Sequence, residues 1–526
     1  MRLSTGKQTP AGGTRGRAGK RGAVPATLAA SLLLLAGCGS LPKKTADMRS
    51  LALADTSETT LGRLAADGIR EHPGLSGLMA LKQGRDAFLA RLALARLAER
   101  SLDLQYYIWR DDFTGRLLLR EALRAADRGV RVRLLIDDMG THPRDADMLA
   151  LAAHPLFEVR YFNPARHRSL RLANLMVESG RMNHRMHNKT FLADNAAAII
   201  GGRNIGDEYF EAHPDVSFDD LDVLCIGAVV PAASAAFDGF WNDARSVPVG
   251  LFYPGENAAA ALERLRARWE REKPSETQRE YMTAPRAREF AARLRDKSPP
   301  LEWGRAWALY DDPGKSLDDD GEDAPTVLEA MKPFGDAARE ELLIVSPYFV
   351  PGKTGLAWLD GFVRRGVRVS VLTNSLASTD VSLVHAGYAH YRRPMLRAGV
   401  ALHELKAAPG AAKRRWFGSS RSSLHAKTFV FDRRFVFVGT LNLDPRSIEL
   451  NTENGVVFES APFARELAES FAKTVAQDAY ALRLDRGFLR WVDGADGTVL
   501  RSEPGTSWWR RLCVGLFALL PVESQL

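Results

Sequence analysis

Two stretches of the chain repeat one another and decide its fold. The first is His187-Asn-Lys-Thr-Phe-Leu-Ala-Asp194, followed after six residues by Gly201-Gly-Arg-Asn204. The second is His425-Ala-Lys-Thr-Phe-Val-Phe-Asp432, followed after six residues by Gly439-Thr-Leu-Asn442. The two histidines are 238 residues apart, and the spacing within each copy is identical. A single H-x-K pattern occurs by chance, but two copies with matched spacing indicate the duplication of a functional unit.

An independent repeat lies upstream of each copy. Arg-Gly-Val-Arg-Val occurs at 128–132 and again at 365–369, an offset of 237 residues. Around both, segments with apolar residues at helical spacing alternate with strand-like runs, as in the helix predicted at 114–128 and the strand predicted at 130–136. This alternation predicts the α/β class. We therefore expect two tandem domains, each a mixed sheet flanked by helices.

Length and composition set the limits of this prediction. The 526 residues exceed one typical domain, and 45% hydrophobic and 26% charged residues are ordinary for a globular protein. No run reaches 18 uninterrupted apolar residues, which argues against a polytopic membrane protein. The expected segments are a first domain at 76–270, a linker at 271–300, a second domain at 301–490 and a tail at 491–526.

The N-terminal region predicts export rather than nucleic-acid binding. Residues 1–22 hold six basic residues and no acid, an apolar stretch follows, and Leu35-Ala-Gly-Cys38 ends it. We interpret residues 1–37 as a lipoprotein signal peptide with Cys38 as the lipidated residue, and residues 38–75 as a tether. Removal of residues 1–37 lowers the formal net charge from +8 to +2. Little basic excess then remains to attract nucleic acid.

The other two cysteines and the C-terminus carry weaker signals. Cys225 sits in an apolar run and is expected to be a buried free thiol. No disulfide framework and no Cys/His zinc spacing is present. The tail Trp508-Trp-Arg-Arg511 precedes an apolar run that is too short to span a bilayer. It could lie at a membrane interface or pack on the body of the protein, and the sequence favours neither.

The two repeated stretches have the composition of a phosphate site. Thr-Phe-Leu-Ala and Thr-Phe-Val-Phe predict strands, so His187 and Lys189 point to one side, as do His425 and Lys427. The following glycines let backbone approach an anion, and Asn204 and Asn442 add donors. Two imidazoles, two ammonium groups and two amides suit a phosphate diester. One histidine can attack phosphorus and the other can protonate the leaving alkoxide, while the lysines stabilise charge in the transition state.

These H-x-K-x-x-x-x-D stretches resemble the two motifs of the phospholipase D superfamily, a resemblance that covers roughly residues 76–490. It implies that the two domains are related by a pseudo-twofold axis, with the active site at their interface. It also implies a covalent phosphohistidine, with His187 as the usual nucleophile and His425 as the general acid, although the reverse assignment stays open. By the same resemblance Asp194 and Asp432 support the structure away from the phosphate.

The resemblance further implies a carboxylate against each imidazole. Glu453 fits one of these positions, and Asp220 is aligned with it, with Asp222 as the alternative. Gly202, in the Gly-Gly corner, and Thr440, in the Gly-Thr corner, are expected to bind substrate. Gly202 lacks the hydroxyl that many members of the superfamily carry at this position. No metal and no cofactor is expected, because the lysines supply the positive charge.

Several stretches resemble the bacterial cardiolipin synthase branch, especially its C type. They include Gly201-Gly-Arg-Asn-Ile-Gly-Asp-Glu-Tyr-Phe210, Ser346-Pro-Tyr-Phe-Val-Pro351 and Asn442-Leu-Asp-Pro-Arg-Ser447. The resemblance implies phosphatidyl transfer that makes cardiolipin from phosphatidylglycerol and a second phospholipid such as phosphatidylethanolamine, at a membrane surface. Gly39 after Cys38 favours the outer over the inner membrane, with the enzyme facing the periplasm.

Two alternatives stay open at this point. The first is hydrolysis of a phosphate diester, by a phospholipase D, a phosphodiesterase or a nuclease. The second is a non-catalytic lipid-binding protein of the envelope. An accessory protein is left undetermined. His184, His385, Tyr388 and Tyr391 are interpreted as structural, since isolated polar residues on an apolar face usually are.

Overall fold

The computed structural model describes residues 41–42, 44–45, 48–140, 144–166, 168, 179–255, 257–283, 301–316, 325–407 and 422–517. The predicted signal peptide at 1–37 and the predicted lipidation site Cys38 lie outside the described residues. Most of the predicted linker at 271–300 lies outside them as well. The limits of the predicted domains therefore stay predictions.

Helices and strands alternate along most of the described chain. The helices are α1 (Thr60–Glu71), α2 (Gly84–Leu97), α3 (Phe113–Asp127), α4 (Asp145–Leu151), α5 (Ser179–Met182), α6 (Val229–Asn242), α7 (Ala258–Arg271), α8 (Glu276–Thr283), α9 (Val327–Ala337), α10 (Gly352–Arg364), α11 (Ser382–Arg397), α12 (Ala461–Asp478) and α13 (Trp508–Phe517).

The strands of the first half are β1 (Ser76–Leu81), β2 (Ser101–Tyr106), β3 (Arg131–Asp137), β4 (Phe157–Phe162), β5 (Thr190–Ala193), β6 (Ala197–Gly201), β7 (Ser217–Asp219), β8 (Asp222–Gly227), β9 (Ser246–Pro248) and β10 (Glu302–Gly304). Those of the second half are β11 (Ala306–Tyr310), β12 (Glu341–Val345), β13 (Arg368–Asn374), β14 (Ala401–Leu405), β15 (Ser422–Leu424), β16 (Thr428–Phe431), β17 (Phe435–Gly439), β18 (Asn454–Glu459), β19 (Ala479–Asp485), β20 (Phe488–Asp493) and β21 (Val499–Leu500).

The two halves build the same sheet. Within the described ranges the first sheet has the order β10-β1-β8-β6-β5-β2-β3-β4-β9, and the second has β11-β18-β17-β16-β12-β13-β14-β19-β20-β21. Eight successive strands therefore match, from β1 and β11 at one side to β9 and β19 at the other. The three-strand runs β2-β3-β4 and β12-β13-β14 are parallel, and their neighbours β5 and β16 are antiparallel. The predicted α/β class with two mixed sheets is confirmed.

In each half, the repeated Arg-Gly-Val segment lies where a helix ends and the next strand begins. Gly129 follows α3 with φ of +98°, and Gly366 follows α10 with φ of +84°. This left-handed conformation terminates a helix at little cost only for glycine. Val130 and Val367 then return the chain to the core, where both are buried. The repeat therefore marks the same helix-to-strand corner twice.

The sheets of the two halves share one hydrophobic core. Strands β6 and β8 of the first sheet contact β17 and β18 of the second. The shared cluster contains Ile200 and Val223 from the first half and Val438 and Val456 from the second, all at most 2% exposed. Burial of this apolar surface stabilises the association of the halves, with a free energy of about 25 cal/mol for each Å² that is removed from water. The interface is therefore built like a protein interior rather than a flexible domain contact.

A short parallel pairing joins the halves at the site. Strand β7 of the first half pairs with β15 of the second, with Ser423 opposite Phe218. On the other side of the pseudo-twofold, Met186 forms an isolated parallel bridge with Thr452. These two contacts bring the start of each H-x-K stretch against a segment of the opposite half. They determine which residues meet in the site.

No helix within the described residues has the length and apolarity needed to cross a membrane. Helix α13 packs on α11 by one face, where Val514 is buried with Leu376 and Ala386. Its other face exposes Trp508, Trp509, Leu512 and Leu516. One face of α13 therefore packs on the body of the protein, as one of the two alternatives for the tail predicted. Contact of the other face with a membrane stays a proposal.

Candidate active site

The two H-x-K stretches meet at the interface of the halves. His187 and His425 line one cavity of about 520 Å³. Each histidine precedes a strand, β5 or β16, whose first residue follows the motif lysine. Residues 187–189 and 425–427 therefore lead directly into these strands. The four His and Lys side chains are buried, as a water-excluding site requires.

Each imidazole is held by a carboxylate from the other half. His187 Nδ1 lies 2.8 Å from Glu453 Oε2. His425 Nδ1 lies 2.6 Å from Asp220 Oδ2. With Nδ1 donating to the carboxylate, Nε2 is left with its lone pair for chemistry. This crossed arrangement was not deduced from the sequence, which proposed the two carboxylates without their partners.

Backbone hydrogen bonds explain the crossing. The His187 amide donates to the Thr452 carbonyl at 2.9 Å, so Glu453 follows directly beside the first imidazole. The His425 amide donates to the Asp219 carbonyl at 2.8 Å, so Asp220 follows directly beside the second. The strand pairing described above thus fixes both pairs in register.

Asp220 and Asp222 have different surroundings. Asp222 lies 2.9 Å from Arg91 Nη1, and both side chains are buried. It also accepts from the Arg203 amide at 3.2 Å. Asp220 is therefore the residue that the structure places against His425, and Asp222 belongs to a buried ion pair behind it.

Glu453 is anchored more extensively than Asp220. Its second oxygen accepts a hydrogen bond from the Ser447 hydroxyl. Its amide donates to Asp311 Oδ2 at 2.8 Å, and Lys315 Nζ binds the same carboxylate at 2.6 Å. Sequence reasoning missed Ser447, Asp311 and Lys315 in this role. These contacts could not be predicted from a local pattern, because Asp311 is 142 residues from Glu453 in the sequence.

Each lysine is bonded to the histidine of its own motif. Lys189 Nζ donates to the His187 carbonyl at 2.6 Å. Lys427 Nζ donates to the His425 carbonyl and lies 3.0 Å from His425 Nδ1. Each ammonium group is thereby held against the histidine of its own motif, and that of Lys427 also lies beside the imidazole.

Burial controls the protonation of these groups. It lowers the pKa of both His187 and His425 to about 4, with the lysines acting in the same direction. Burial likewise lowers the pKa of Lys427 to about 8 and holds that of Lys189 well below its usual value. Although burial alone would raise the pKa of Glu453, His187 and Lys189 hold it below its usual range. In the substrate-free protein the imidazoles are neutral and the carboxylates ionised.

The two motif aspartates lie at the far end of their strands. Asp194 accepts from the amides of Glu99, Arg100 and Ser101 at the start of β2. Asp432 accepts from the amides of Arg339, Glu340 and Glu341 at the start of β12. Both aspartates have positive φ, 52° and 48°. Their contacts are those of structural supports.

The asparagines differ between the halves. Asn204 lines the cavity, where its Nδ2 donates to Tyr209 Oη at 3.0 Å and its Oδ1 accepts from the Ile108 amide. Asn442 is buried, and its amide nitrogen in the backbone donates to Ser447 Oγ at 3.0 Å. Asn442 thus holds the serine that binds Glu453.

Gly202 and Thr440 lie beside the segments that carry the two carboxylates, and their expected role in substrate binding stays a prediction. A Cβ at Gly202 would lie 2.2 Å from Asp220 Oδ1, so glycine is required there for the carboxylate to reach His425. Thr440 Oγ1 accepts from the Asn454 amide at 2.9 Å and donates to its carbonyl. Neither residue is among those that line the cavity. Their contacts shape the two carboxylate positions.

The residues interpreted as structural are engaged outside the cavity. His184 Nδ1 lies 3.1 Å from the Leu450 carbonyl. His385 and Tyr388 are buried on α11, where His385 Nε2 lies 2.7 Å from Arg392. Cys225 is a buried free thiol in β8, as predicted.

Comparisons with known proteins agree with the fold and the motifs. A family model described as "Cardiolipin synthase, PLD-like domain" matches residues 92–219 and 335–475. Cardiolipin synthase C of Escherichia coli K12 is 43% identical over 464 residues, covering 86% of this chain and 97% of that protein. An uncharacterized protein of Helicobacter pylori J99 is 33% identical over 93% of this chain and 98% of its own length.

A solved structure shares the fold at low sequence identity. The crystal structure of phosphatidylserine synthase from Haemophilus influenzae Rd KW20 matches 88% of this chain and all of that chain, with a TM-score of 0.55 and 14% identity. The paired motifs, the duplicated sheet and these matches lead to one conclusion. The chain belongs to the phospholipase D superfamily, in its family of cardiolipin synthase-type, phospholipase D-like domains.

Proposed function

We propose that this protein is a phosphatidyltransferase that makes cardiolipin from phosphatidylglycerol and a second phospholipid. The observation that carries the proposal is the pair of crossed His–carboxylate contacts facing one cavity, with a lysine beside each. The relative in Escherichia coli, similar over most of both chains, is a cardiolipin synthase. A non-catalytic lipid-binding protein would have no need to keep both imidazoles neutral, buried and oriented.

The proposed reaction has two steps with one proton carried between them. His187 Nε2 attacks phosphorus, the bond from phosphorus to the head-group oxygen breaks, and His425 gives its proton to the leaving alkoxide. The hydroxyl of phosphatidylglycerol then gives its proton to His425 and attacks phosphorus, and the P–N bond to His187 breaks. Glu453 stabilises the phosphorylated imidazole, and Asp220 stabilises His425 when protonated. Lys189 and Lys427 offset the charge on the phosphate oxygens.

The histidine that donates a proton must be charged when substrate is bound. The low pKa of His425 results chiefly from burial. An anionic diester placed between the histidines favours the imidazolium and raises that pKa. Substrate binding therefore prepares the general acid, while the neutral His187 remains a nucleophile.

A membrane surface is the proposed location of the reaction. Trp508, Leu512 and Leu516 are spaced four residues apart and are 67%, 45% and 57% exposed, so they form an apolar stripe along α13. Arg510 on the same helix binds the Thr379 carbonyl and Ser382 Oγ. Arg510 therefore docks α13 next to the segment that holds Asp380, which lines the cavity. Tryptophan and leucine in this position suit the headgroup layer of a bilayer.

A lipid anchor at Cys38 and location at the periplasmic side of the outer membrane complete the proposal. Their support is the sequence Leu35-Ala-Gly-Cys38-Gly39. Radiolabelled fatty acid should be incorporated into the full chain in cells and not into the Cys38→Ser variant, and fractionation should place the label in outer-membrane vesicles. Label that persists in the variant contradicts lipidation at this residue.

The central test uses purified full-length protein, a metal chelator and lipid vesicles. Phosphatidylglycerol is supplied alone and with phosphatidylethanolamine, and products are identified by mass spectrometry. We expect cardiolipin from the wild type and none from His187→Ala or His425→Ala. Phosphatidic acid as the sole product would replace the proposal with a hydrolase, and no turnover of any lipid would refute it.

A further inference from the structure

The cavity has an aromatic lining that is concentrated on one histidine. Three rings pack against His425, with centroid distances of 5.4 Å for Tyr209, 5.2 Å for Phe218 and 6.4 Å for Tyr348. One ring, Tyr107, packs against His187 at 5.1 Å. Faces of aromatic rings attract cations. The His425 side of the cavity is therefore the side suited to a cationic group.

A carboxylate that forms no direct ion pair with a described Lys or Arg stands on the same side, close enough to Lys427 to act on that lysine electrostatically. Two acidic residues line the cavity, Glu208 and Asp380. Glu208 pairs with Arg110 at 3.0 Å. Asp380 Oδ2 accepts a hydrogen bond from Tyr348 Oη at 2.8 Å, and among the described residues no Lys or Arg forms an ion pair with it. The Tyr348 ring connects this carboxylate with His425.

A carboxylate in a phosphodiester site has an electrostatic cost. The phosphate of a phospholipid is anionic, and a like charge nearby weakens its binding. The cost is removed when the substrate itself carries a cation on that side of the phosphate. Glycerol head groups are neutral and offer none, whereas an aminoalcohol head group carries an ammonium two carbons from the ester oxygen.

We infer that Asp380, with Tyr348 and the aromatic rings around His425, forms a subsite for the ammonium head group of the donor phospholipid. The inference rests on the proposed function and names the donor by chemistry. It also fixes the direction of the reaction, because the head group in this subsite leaves beside His425. His425 is then the acid that protonates it, and His187, across the phosphate, is the nucleophile.

The test compares donors with and without an ammonium group. Deuterated phosphatidylglycerol serves as acceptor at fixed concentration, with unlabelled phosphatidylethanolamine or unlabelled phosphatidylglycerol as donor. Mass spectrometry of the half-labelled cardiolipin gives kcat/KM for each donor. In Asp380→Asn we expect the ratio of ethanolamine donor to glycerol donor to fall about tenfold. Asp336→Asn removes the same charge from an exposed position on α9 and should leave the ratio unchanged.

A second measurement needs no variant at this site. Free ethanolamine and ethylene glycol have the same size, and only ethanolamine carries a charge. With the wild type we expect ethanolamine to inhibit at a concentration at least about tenfold lower. Equal inhibition by the two alcohols overturns the inference even if Asp380→Asn fails to fold.

The outcomes separate this inference from the proposed function. An equal loss with both donors in folded Asp380→Asn overturns the ammonium subsite and leaves the transferase intact. Absence of cardiolipin from every donor with wild type and Asp336→Asn refutes the transferase, and the subsite with it. A lower donor ratio together with preferential inhibition by ethanolamine supports both.

Discussion

His187 Nδ1 and Glu453 Oε2 lie 2.8 Å apart although they belong to opposite halves of the chain. The reciprocal contact, His425 with Asp220, is 2.6 Å. Each of the two motif imidazoles thus depends on a carboxylate that the other half supplies. The residues that form the interface between the halves therefore also form the site.

Substitution of Asp220 should lower kcat, whereas substitution of Asp222 should lower the stability of the fold. Asp220→Asn keeps the shape of the side chain but cannot stabilise a protonated His425, so we expect kcat to fall by about 100-fold or more. Asp222→Asn leaves the buried guanidinium of Arg91 without its partner, which costs about 3–5 kcal/mol of the free energy of unfolding. Steady-state kinetics and denaturant unfolding of both variants are the measurements. Equal loss of stability in the two would contradict the division of roles.

The nucleophile and the acid can be distinguished with the leaving group. The p-nitrophenolate group of a p-nitrophenyl phosphodiester leaves without a proton, so we expect His425→Ala to form the phosphohistidine and release one equivalent of p-nitrophenolate at least about 100-fold faster than it reacts with a lipid donor. His187→Ala should remain inactive with both. Release of p-nitrophenol and mass spectrometry of the trapped phosphohistidine provide the readout. Such release by His187→Ala instead would make His425 the nucleophile.

The alkaline limb of the pH profile should depend on substrate binding. In the proposed reaction protonated Lys427 offsets the charge on the phosphate, and burial lowers its pKa to about 8, so the free enzyme loses this charge as the pH rises through about 8. A bound diester favours the charged lysine and raises that pKa. We therefore expect kcat/KM to fall at lower pH than kcat. Coincident alkaline limbs would show that the lysine charge does not limit binding.

Gly202→Ala tests the space that Asp220 occupies. The new Cβ would meet Asp220 Oδ1 at 2.2 Å, so the carboxylate must move away from His425, and we expect kcat to fall at least about tenfold. Overpacking of this kind also costs about 1–3 kcal/mol of stability. Gly239 on α6 has no atom within 4 Å of an added Cβ. Gly239→Ala is therefore the matched control, expected to keep activity and stability; full activity of Gly202→Ala would refute the steric argument.

The exposed stripe of α13 should set the affinity for vesicles. Trp508→Ser with Leu512→Ser removes two large apolar side chains without touching the buried Val514. We expect binding to anionic vesicles to weaken at least about tenfold in a sedimentation assay, since each large side chain contributes about 1.5–3 kcal/mol when buried. Turnover of a soluble diester should be unchanged. The exposed Val499→Ser serves as control, and unaltered vesicle binding by the double variant would exclude α13 as the contact.

The sequence predicted the duplicated sheets because their signals are local. Each of these signals spans only a few neighbouring residues. They are the apolar spacing, the two Arg-Gly-Val corners and the strands after Lys189 and Lys427. The choice between Asp220 and Asp222 was different, since positions two apart on an extended chain share a face. Arg91, 131 residues upstream of Asp222, settles the position of that carboxylate, and no local pattern contains this information.

The aromatic and acidic lining of the cavity was missed for a related reason. Tyr107 follows β2, Tyr348 follows β12 and Asp380 follows β13, so all three lie beyond the carboxyl ends of parallel strands. That edge of an α/β sheet is where ligands usually bind. A search of these loops could have found the tyrosines as candidates. That no described Lys or Arg forms a direct ion pair with Asp380 is evident only from the packed structure.

The Gly202–Asp220 contact has a consequence for how the two halves can change over time. The first half uses the smallest residue with the shorter acid, whereas the second uses Thr440 with the longer Glu453. Each combination fits one imidazole of the opposite half. A larger residue at position 202 would displace Asp220, so we expect it to be tolerated only with a compensating change at that carboxylate. We therefore expect positions 202 and 220 to change together, and a first half transplanted from a relative to work only if its acid fits the histidine of the second half.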